Sequence, residues 1–246
     1  MDSTRIMAVI SRIRYGVINT PVLLLLLTMS SCASISLNND FKRIASKFTN
    51  HYTGEDTGID SVLNINGFFY DSLHVNYDSN TMFFKNGLVV EGIVDVKRLK
   101  SNEDQNIALL LKEICTFYDI NHLYGFYNVG WGSYKLCGDT IKIQMIKYHG
   151  GMVSGRHGYV LWYKILDRNT IKKIYVDFFF FSDLPESQRE KYTYYPDELD
   201  IKPLTFKEAC VPSTDKAFIL KHKWFWKDES MWREFMQRVY PDEKIK

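Results

Sequence analysis

His149 and His157 stand near the two ends of a glycine-rich stretch, residues 150–158, between two predicted strands. Two imidazoles supply only half of a tetrahedral zinc site, and no third ligand lies close by in the sequence. If the strands pair in register, the two rings could instead face one another and act in a hydrolase with a carboxylate such as Asp177. We therefore expect no bound metal. His149 and His157 remain candidates for metal ligands or for catalytic residues of a hydrolase.

A second pattern with possible chemistry is Ser213-Thr214-Asp215-Lys216, which has the Ser-x-x-Lys spacing of penicillin-interacting enzymes. In those enzymes a lysine activates the serine, and partner motifs that include Lys-Thr-Gly complete the site. The chain contains no Lys-Thr-Gly, and this segment is typical of a turn rather than of a helix start. Motifs for other hydrolases, zinc proteases and phosphate loops are also absent from the sequence. We therefore assign no catalytic residue and expect no cofactor.

Aromatic residues make up 15% of the chain and offer the best candidates for binding. Aromatic faces bind sugars and apolar ligands, although most aromatic side chains serve to fill a core. Two tryptophans lie in the predicted meander, and two lie near the end of the chain, where a strand would place both on one face. The candidate ligand-binding residues are Trp131, Trp162, Trp224 and Trp226.

The first 32 residues have the anatomy of an export signal. Residues 1–16 are basic, and residues 22–29 are strongly apolar but shorter than the about 20 residues of a membrane-spanning helix. The apolar run ends in Met29-Ser30-Ser31-Cys32, in which small residues precede a cysteine. This pattern resembles the signal of a bacterial lipoprotein.

The resemblance implies that residues 1–31 are removed and that Cys32 carries lipid. Residues 32–38 would then be a tether, and residues 39–246 a single β-rich domain. The lipid would anchor the protein to a bacterial membrane. In some lipoproteins of Bacteroidetes an acidic run after the lipidated cysteine directs the protein to the cell surface. No such run follows Cys32, so we expect the protein to lie on the periplasmic face of the outer membrane.

The charge and cysteine content fit this interpretation. Without residues 1–31 the chain keeps equal numbers of basic and acidic residues, and a neutral chain lacks the charge that nucleic-acid binding requires. Lipid on Cys32 would leave Cys115, Cys137 and Cys210, of which one pair could form a disulfide in an oxidising compartment. The alternative is three unpaired, buried thiols.

Several elements are predicted from local patterns. Asn86-Gly87, flanked by alternating apolar residues, predicts a β-hairpin. Helices are predicted over residues 39–51, over residues 101–120 and after Asp228, each with an apolar face. Residues 124–181 show the period of two that predicts antiparallel strands, and residues 205–209 and 216–223 are further strand candidates.

Within this region the turns Gly138-Asp139-Thr140-Ile141 and Asp167-Arg168-Asn169-Thr170-Ile171 join successive strands. This repetition is similar to that of small lipocalin-like lipoproteins of Bacteroidetes. The resemblance implies a calycin- or lipocalin-like barrel or half-barrel, and it implies no catalytic residue. We therefore predict a mainly β fold with flanking helices, built on an antiparallel meander.

Together these observations predict a lipid-anchored, non-enzymatic binding or interaction domain of the cell envelope. Its partners would be the membrane and either an apolar or sugar ligand or another envelope protein. Two alternatives remain open: an envelope hydrolase with an unrecognised active site, and a purely structural or assembly lipoprotein.

Overall fold

Nine antiparallel strands form one sheet in the described chain. They are β1 Gly67–Tyr70, β2 Asn80–Phe83, β3 Leu88–Glu91, β4 Gly130–Cys137, β5 Thr140–His149, β6 Gly155–Asp167, β7 Thr170–Asp177, β8 Thr193–Tyr194 and β9 Leu204–Glu208. From β1 to β7 each strand pairs with the next, and β9 pairs with both β7 and β1. Eight strands thus close into a barrel, and the short β8 is added to the end of β7. This closed calycin- or lipocalin-like barrel confirms the predicted fold class and excludes the half-barrel.

The computed structural model describes residues 42–71, 80–92, 130–149, 155–178, 180–181, 183–190, 193–194, 202–209, 211, 213–215 and 217–243. These residues belong to one compact unit, Asp40–Lys246. The predicted signal peptide and tether, the predicted helix 101–120, and Cys32, Cys115 and Cys210 lie outside the described residues. Cys137 is exposed at the end of β4 and carries a free thiol.

The Asn86-Gly87 hairpin is present, with a loop one residue longer than the tightest turn. Phe84 and Leu88 close the loop through a hydrogen bond from the Phe84 amide to the Leu88 carbonyl, at 3.0 Å. The Gly87 amide donates to the Phe84 carbonyl at 3.1 Å, and Gly87 has a φ of 87°, which favours glycine. The Asn86 side chain accepts a hydrogen bond from the Leu88 amide at 3.3 Å and so stabilises the turn.

The strands of the predicted meander are β4 to β7, and one boundary differs from the prediction. Residues 150–158 were expected to form a glycine-rich loop, but β6 already begins at Gly155. Its first residues continue the ladder with β5, because Gly155 pairs with His149 and His157 pairs with Lys147. Backbone hydrogen bonding to a long neighbouring strand therefore overrides the local tendency of glycine to form loops.

Side chains of the barrel strands alternate between two hydrophobic layers, as the period of two requires. One layer contains residues from all eight barrel strands and fills the barrel interior; its largest members are Phe69, Phe83, Tyr134, Tyr159 and Tyr163. The short 3₁₀ helix Ile59–Ser61 adds Ile59 to this layer at one end.

The second layer lies between the outer face of the barrel and the flanking segments. Helix α1, residues 42–47, ends four residues before the predicted end at residue 51. It buries Ile44 here, and Phe48, which follows the helix, is buried as well, so the apolar face predicted for this segment lies in the core. The backbone amides of Thr49 and Asn50 both donate to the Gln144 side chain, at 2.9 and 2.8 Å, and hold this segment against β5.

Helix α2, Glu186–Arg189, is short, whereas helix α3, Glu229–Val239, closes the outer layer. The Asp228 side chain caps α3 by accepting a hydrogen bond from the Ser230 amide at 2.7 Å, as predicted. Trp232, Phe235 and Met236 on the buried face of α3 pack into the outer layer.

The strand predicted over residues 216–223 is wrong. The described part forms the 3₁₀ helix Phe218–Lys221, followed by a second 3₁₀ helix, Lys223–Phe225. Ile219 and Leu220 are neighbours in sequence and both pack into the outer layer, whereas neighbouring residues of a strand point to opposite faces. Trp224 and Trp226 therefore do not share the face of a strand.

Candidate binding site

A cleft of about 290 Å³ lies beside helix α3, on the outside of the barrel. Four parts of the chain line it: residues 52–54, the β2–β3 hairpin loop at Asn86, residues of the segment 214–226, and α3. The Asn86 side chain donates a hydrogen bond to the Thr214 hydroxyl at 3.1 Å, which joins the second and third of these parts. The full lining is Tyr52, Thr53, Gly54, Asn86, Thr214, Asp215, Leu220, Trp226, Met231, Glu234, Phe235 and Arg238.

The floor of the cleft is aromatic. Tyr52 lies edge-on to Trp226 with 4.8 Å between ring centroids, and Trp226 contacts Phe235 with 5.2 Å between centroids. Tyr52 is positioned by its backbone, whose amide donates to the Phe225 carbonyl at 2.9 Å. The Trp226 indole N–H donates to the Leu220 carbonyl at 2.8 Å, so this ring is held in one orientation.

Three charged side chains line the same cleft: Asp215, Glu234 and Arg238, all exposed. Glu234 and Arg238 are one helical turn apart, a spacing at which opposite charges commonly pair. No ion pair joins them in the described structure, whereas Glu229 and Arg233, one turn earlier, pair at 2.6 Å. The Glu234 and Arg238 charges are thus available to a ligand in the cleft.

The Tyr52 hydroxyl is the polar group of the cleft floor. Burial, and secondarily the negative charge of Asp215, raises the pKa of Tyr52 to about 12, while the positive charge of Arg238 acts in the opposite direction. The hydroxyl is therefore protonated at neutral pH. Tyr52 is only 6% exposed, and its hydroxyl has no hydrogen-bond partner among the described residues. The hydroxyl is not among the fully buried polar atoms that lack a partner, so it reaches the cleft, where a ligand can form a hydrogen bond with it.

The four candidate tryptophans have different environments. Trp226 contributes to the cleft. Trp131 is 1% exposed and stacks on Phe84 in the outer layer, so it is a core residue. Trp162 and Trp224 are partly exposed on other parts of the surface. Trp162 lies against Tyr175, with 4.6 Å between ring centroids.

The predicted histidine pair is not directly opposed in the β5–β6 ladder. His149 pairs with Gly155 and His157 with Lys147, so the two histidines are offset along the hairpin. Their side chains lie outside the described part of the structure. In that part, no group of three or more histidines, cysteines and carboxylates is arranged to hold a metal ion.

The other two sequence candidates have structural partners. Asp177 is buried near the end of β7 and forms an ion pair with Arg189 at 3.5 Å. In the Ser-x-x-Lys segment the Ser213 hydroxyl donates to the Asp215 carboxylate at 3.2 Å. Lys216, the last residue of this segment, lies outside the described residues.

A buried polar cluster inside the barrel was not predicted from the sequence. The Glu91 carboxylate accepts hydrogen bonds from the hydroxyls of Tyr159, at 2.7 Å, and Tyr163, at 3.4 Å. The Lys173 ammonium lies 3.6 Å from the same carboxylate, and Thr81 lies 3.2 Å from the Tyr163 hydroxyl. Burial raises the pKa of Tyr163 to about 12, so it remains a donor. These groups satisfy one another, which indicates a structural cluster.

The sequence contains only weak indications of the buried cluster and of the charged residues of the cleft. Glu91 follows Val89 by two positions in an apolar strand, so the period of two places both on the inward face. Glu234 and Arg238 follow the period of a helix, but only the fold brings them beside Tyr52 and Asp215.

None of the helices in the described segments is long and apolar enough to cross a membrane. No known protein family, curated protein or solved structure matches the chain.

Proposed function

We propose that this protein is a lipid-anchored, non-enzymatic binding domain of the bacterial cell envelope, and that the cleft beside α3 is its ligand site. The observation that carries the proposal is the unpartnered Tyr52 hydroxyl in a cleft with an aromatic floor. Small-molecule sites typically combine an apolar lining with a few converging polar groups. Trp226, predicted as a binding residue, forms part of that floor, and the closed barrel supplies a rigid support.

The lipid anchor would hold the protein in the cell envelope, on the periplasmic face of the outer membrane. Acyl chains contribute about 0.8 kcal/mol for each buried methylene, so the chains of a lipoprotein hold it on a membrane stably. The membrane would then be one partner and the ligand of the cleft the other.

Replacing Cys32 by alanine is expected to abolish lipid attachment, because the acylated thiol is lost. The measurement is incorporation of labelled fatty acid into the full chain expressed in a bacterium, together with its membrane fraction. The matched control is Cys137→Ala, which removes an exposed thiol and should keep the label. Labelled Cys32→Ala protein would contradict the anchor.

The ligand site is tested by native mass spectrometry of the protein purified from its own envelope. We expect a bound small molecule that is lost in Arg238→Gln. The control is Arg233→Gln, on the same helix but outside the cleft and paired with Glu229. Absence of any bound molecule, or equal retention in Arg238→Gln, would contradict the site.

A further inference from the structure

We propose that the cleft binds a dibasic α-amino acid, a zwitterion whose side chain ends in a second cationic group. This inference rests on the proposed function and adds the class of ligand. Three features of the cleft favour this ligand: its charges, the Tyr52 hydroxyl, and the size and character of its floor.

The charges of the lining complement such a ligand. Asp215 and Glu234 are negative and Arg238 is positive, so the lining carries one excess negative charge. A dibasic amino acid carries the opposite set, with two cations and one carboxylate. Because Glu234 and Arg238 form no ion pair with each other in the described structure, neither charge has to be displaced from the other before a ligand binds.

The Tyr52 hydroxyl indicates where the α-carbon end of the ligand would lie. Asp215 and Arg238 line the same cleft as this hydroxyl. Arg238 and the Tyr52 O–H can donate to a carboxylate, and the Asp215 carboxylate can accept from an α-ammonium group. This assignment leaves Glu234 for the cation at the end of the side chain.

The floor and the volume suit the alkyl stem of the ligand. Met231, Phe235 and Trp226 supply apolar surface in the lining of the same cleft. A straight methylene chain can lie on such a surface while its ends stay polar. The volume of about 290 Å³ is at the lower end of ligand pockets and therefore favours a molecule as small as one amino acid.

The test is isothermal titration calorimetry of the full chain in detergent with three probes: L-lysine, L-norleucine and cadaverine. Norleucine lacks only the side-chain ammonium of lysine, and cadaverine lacks only the carboxylate. Each loss removes a charge-assisted interaction, so we expect both to bind at least about tenfold more weakly than lysine.

Two variants test which charged residue of the cleft binds which charged group of lysine. Glu234→Gln should weaken lysine to the level of norleucine and leave norleucine unchanged, and Arg238→Gln should remove the preference for lysine over cadaverine. Arg233→Gln should change none of these affinities, since Arg233 lies outside the cleft.

Lysine that binds no better than norleucine, or that does not bind, would overturn the inference. If native mass spectrometry still finds another small molecule that is lost in Arg238→Gln, the proposed function stands and only the ligand class is wrong. If neither method finds a ligand, both proposals fail.

Discussion

Replacing Glu91 by alanine is expected to lower the free energy of unfolding by about 3–5 kcal/mol, the usual cost of breaking a buried ion pair from one side. The Glu91 side chain is only 4% exposed, and its carboxylate serves Lys173, Tyr159 and Tyr163 together. Without this carboxylate, the hydroxyls of Tyr159 and Tyr163 lose a shared acceptor and the Lys173 ammonium loses its counter-charge. Urea denaturation of the variant and of the unchanged protein measures the difference.

Two controls separate the buried cluster from ordinary surface charge. Asp139→Ala removes an exposed ion pair with Lys164 and should change stability little, because solvent screens such pairs. The double change Glu91→Leu with Lys173→Met removes both charges and should be less destabilising than Glu91→Ala. A Glu91→Ala protein as stable as Asp139→Ala would show that the cluster does not support the barrel.

Replacing Trp131 by alanine is expected to lower the free energy of unfolding by about 3–5 kcal/mol, because it leaves a large cavity in the outer layer. The indole is 1% exposed and packs on Phe84 between the barrel and the flanking segments. Thermal unfolding followed by circular dichroism measures the loss.

Trp162→Ala is the matched control. Trp162 is partly exposed at the margin of the outer layer, between Tyr175 and the Lys142 ammonium, so its removal should cost only about 1 kcal/mol. Equal destabilisation by the two changes would contradict the assignment of Trp131 to the core and of Trp162 to the surface.

The strands and the last helix could be predicted because their signals are local. Alternation along residues 140–145 reflects a strand with one buried face, and Asp228 caps the next turn of its own chain. The 3₁₀ helix Phe218–Lys221 could not be predicted in this way. Its apolar residues are typical of a strand, and only burial of both Ile219 and Leu220 against the outer layer decides its conformation.

The candidate site was predicted only through Trp226. Aromatic content indicated that some tryptophan could bind a ligand, but composition does not separate a core residue such as Trp131 from one that lines a cleft. Asp215 entered the sequence interpretation only as part of a possible serine-enzyme motif. In the structure its carboxylate accepts from Ser213 and lines the cleft.

By itself the sequence determined the period of the strands, the hairpin at Asn86-Gly87 and the cap of α3, since each depends on residues close together in the chain. Tertiary structure alone decided closure of the barrel through β9, the pairing of Glu91 with Lys173, and the convergence of Tyr52, Asp215 and Arg238. The physical reason is that these contacts join residues far apart in sequence, and their partners are set by which apolar faces are buried together.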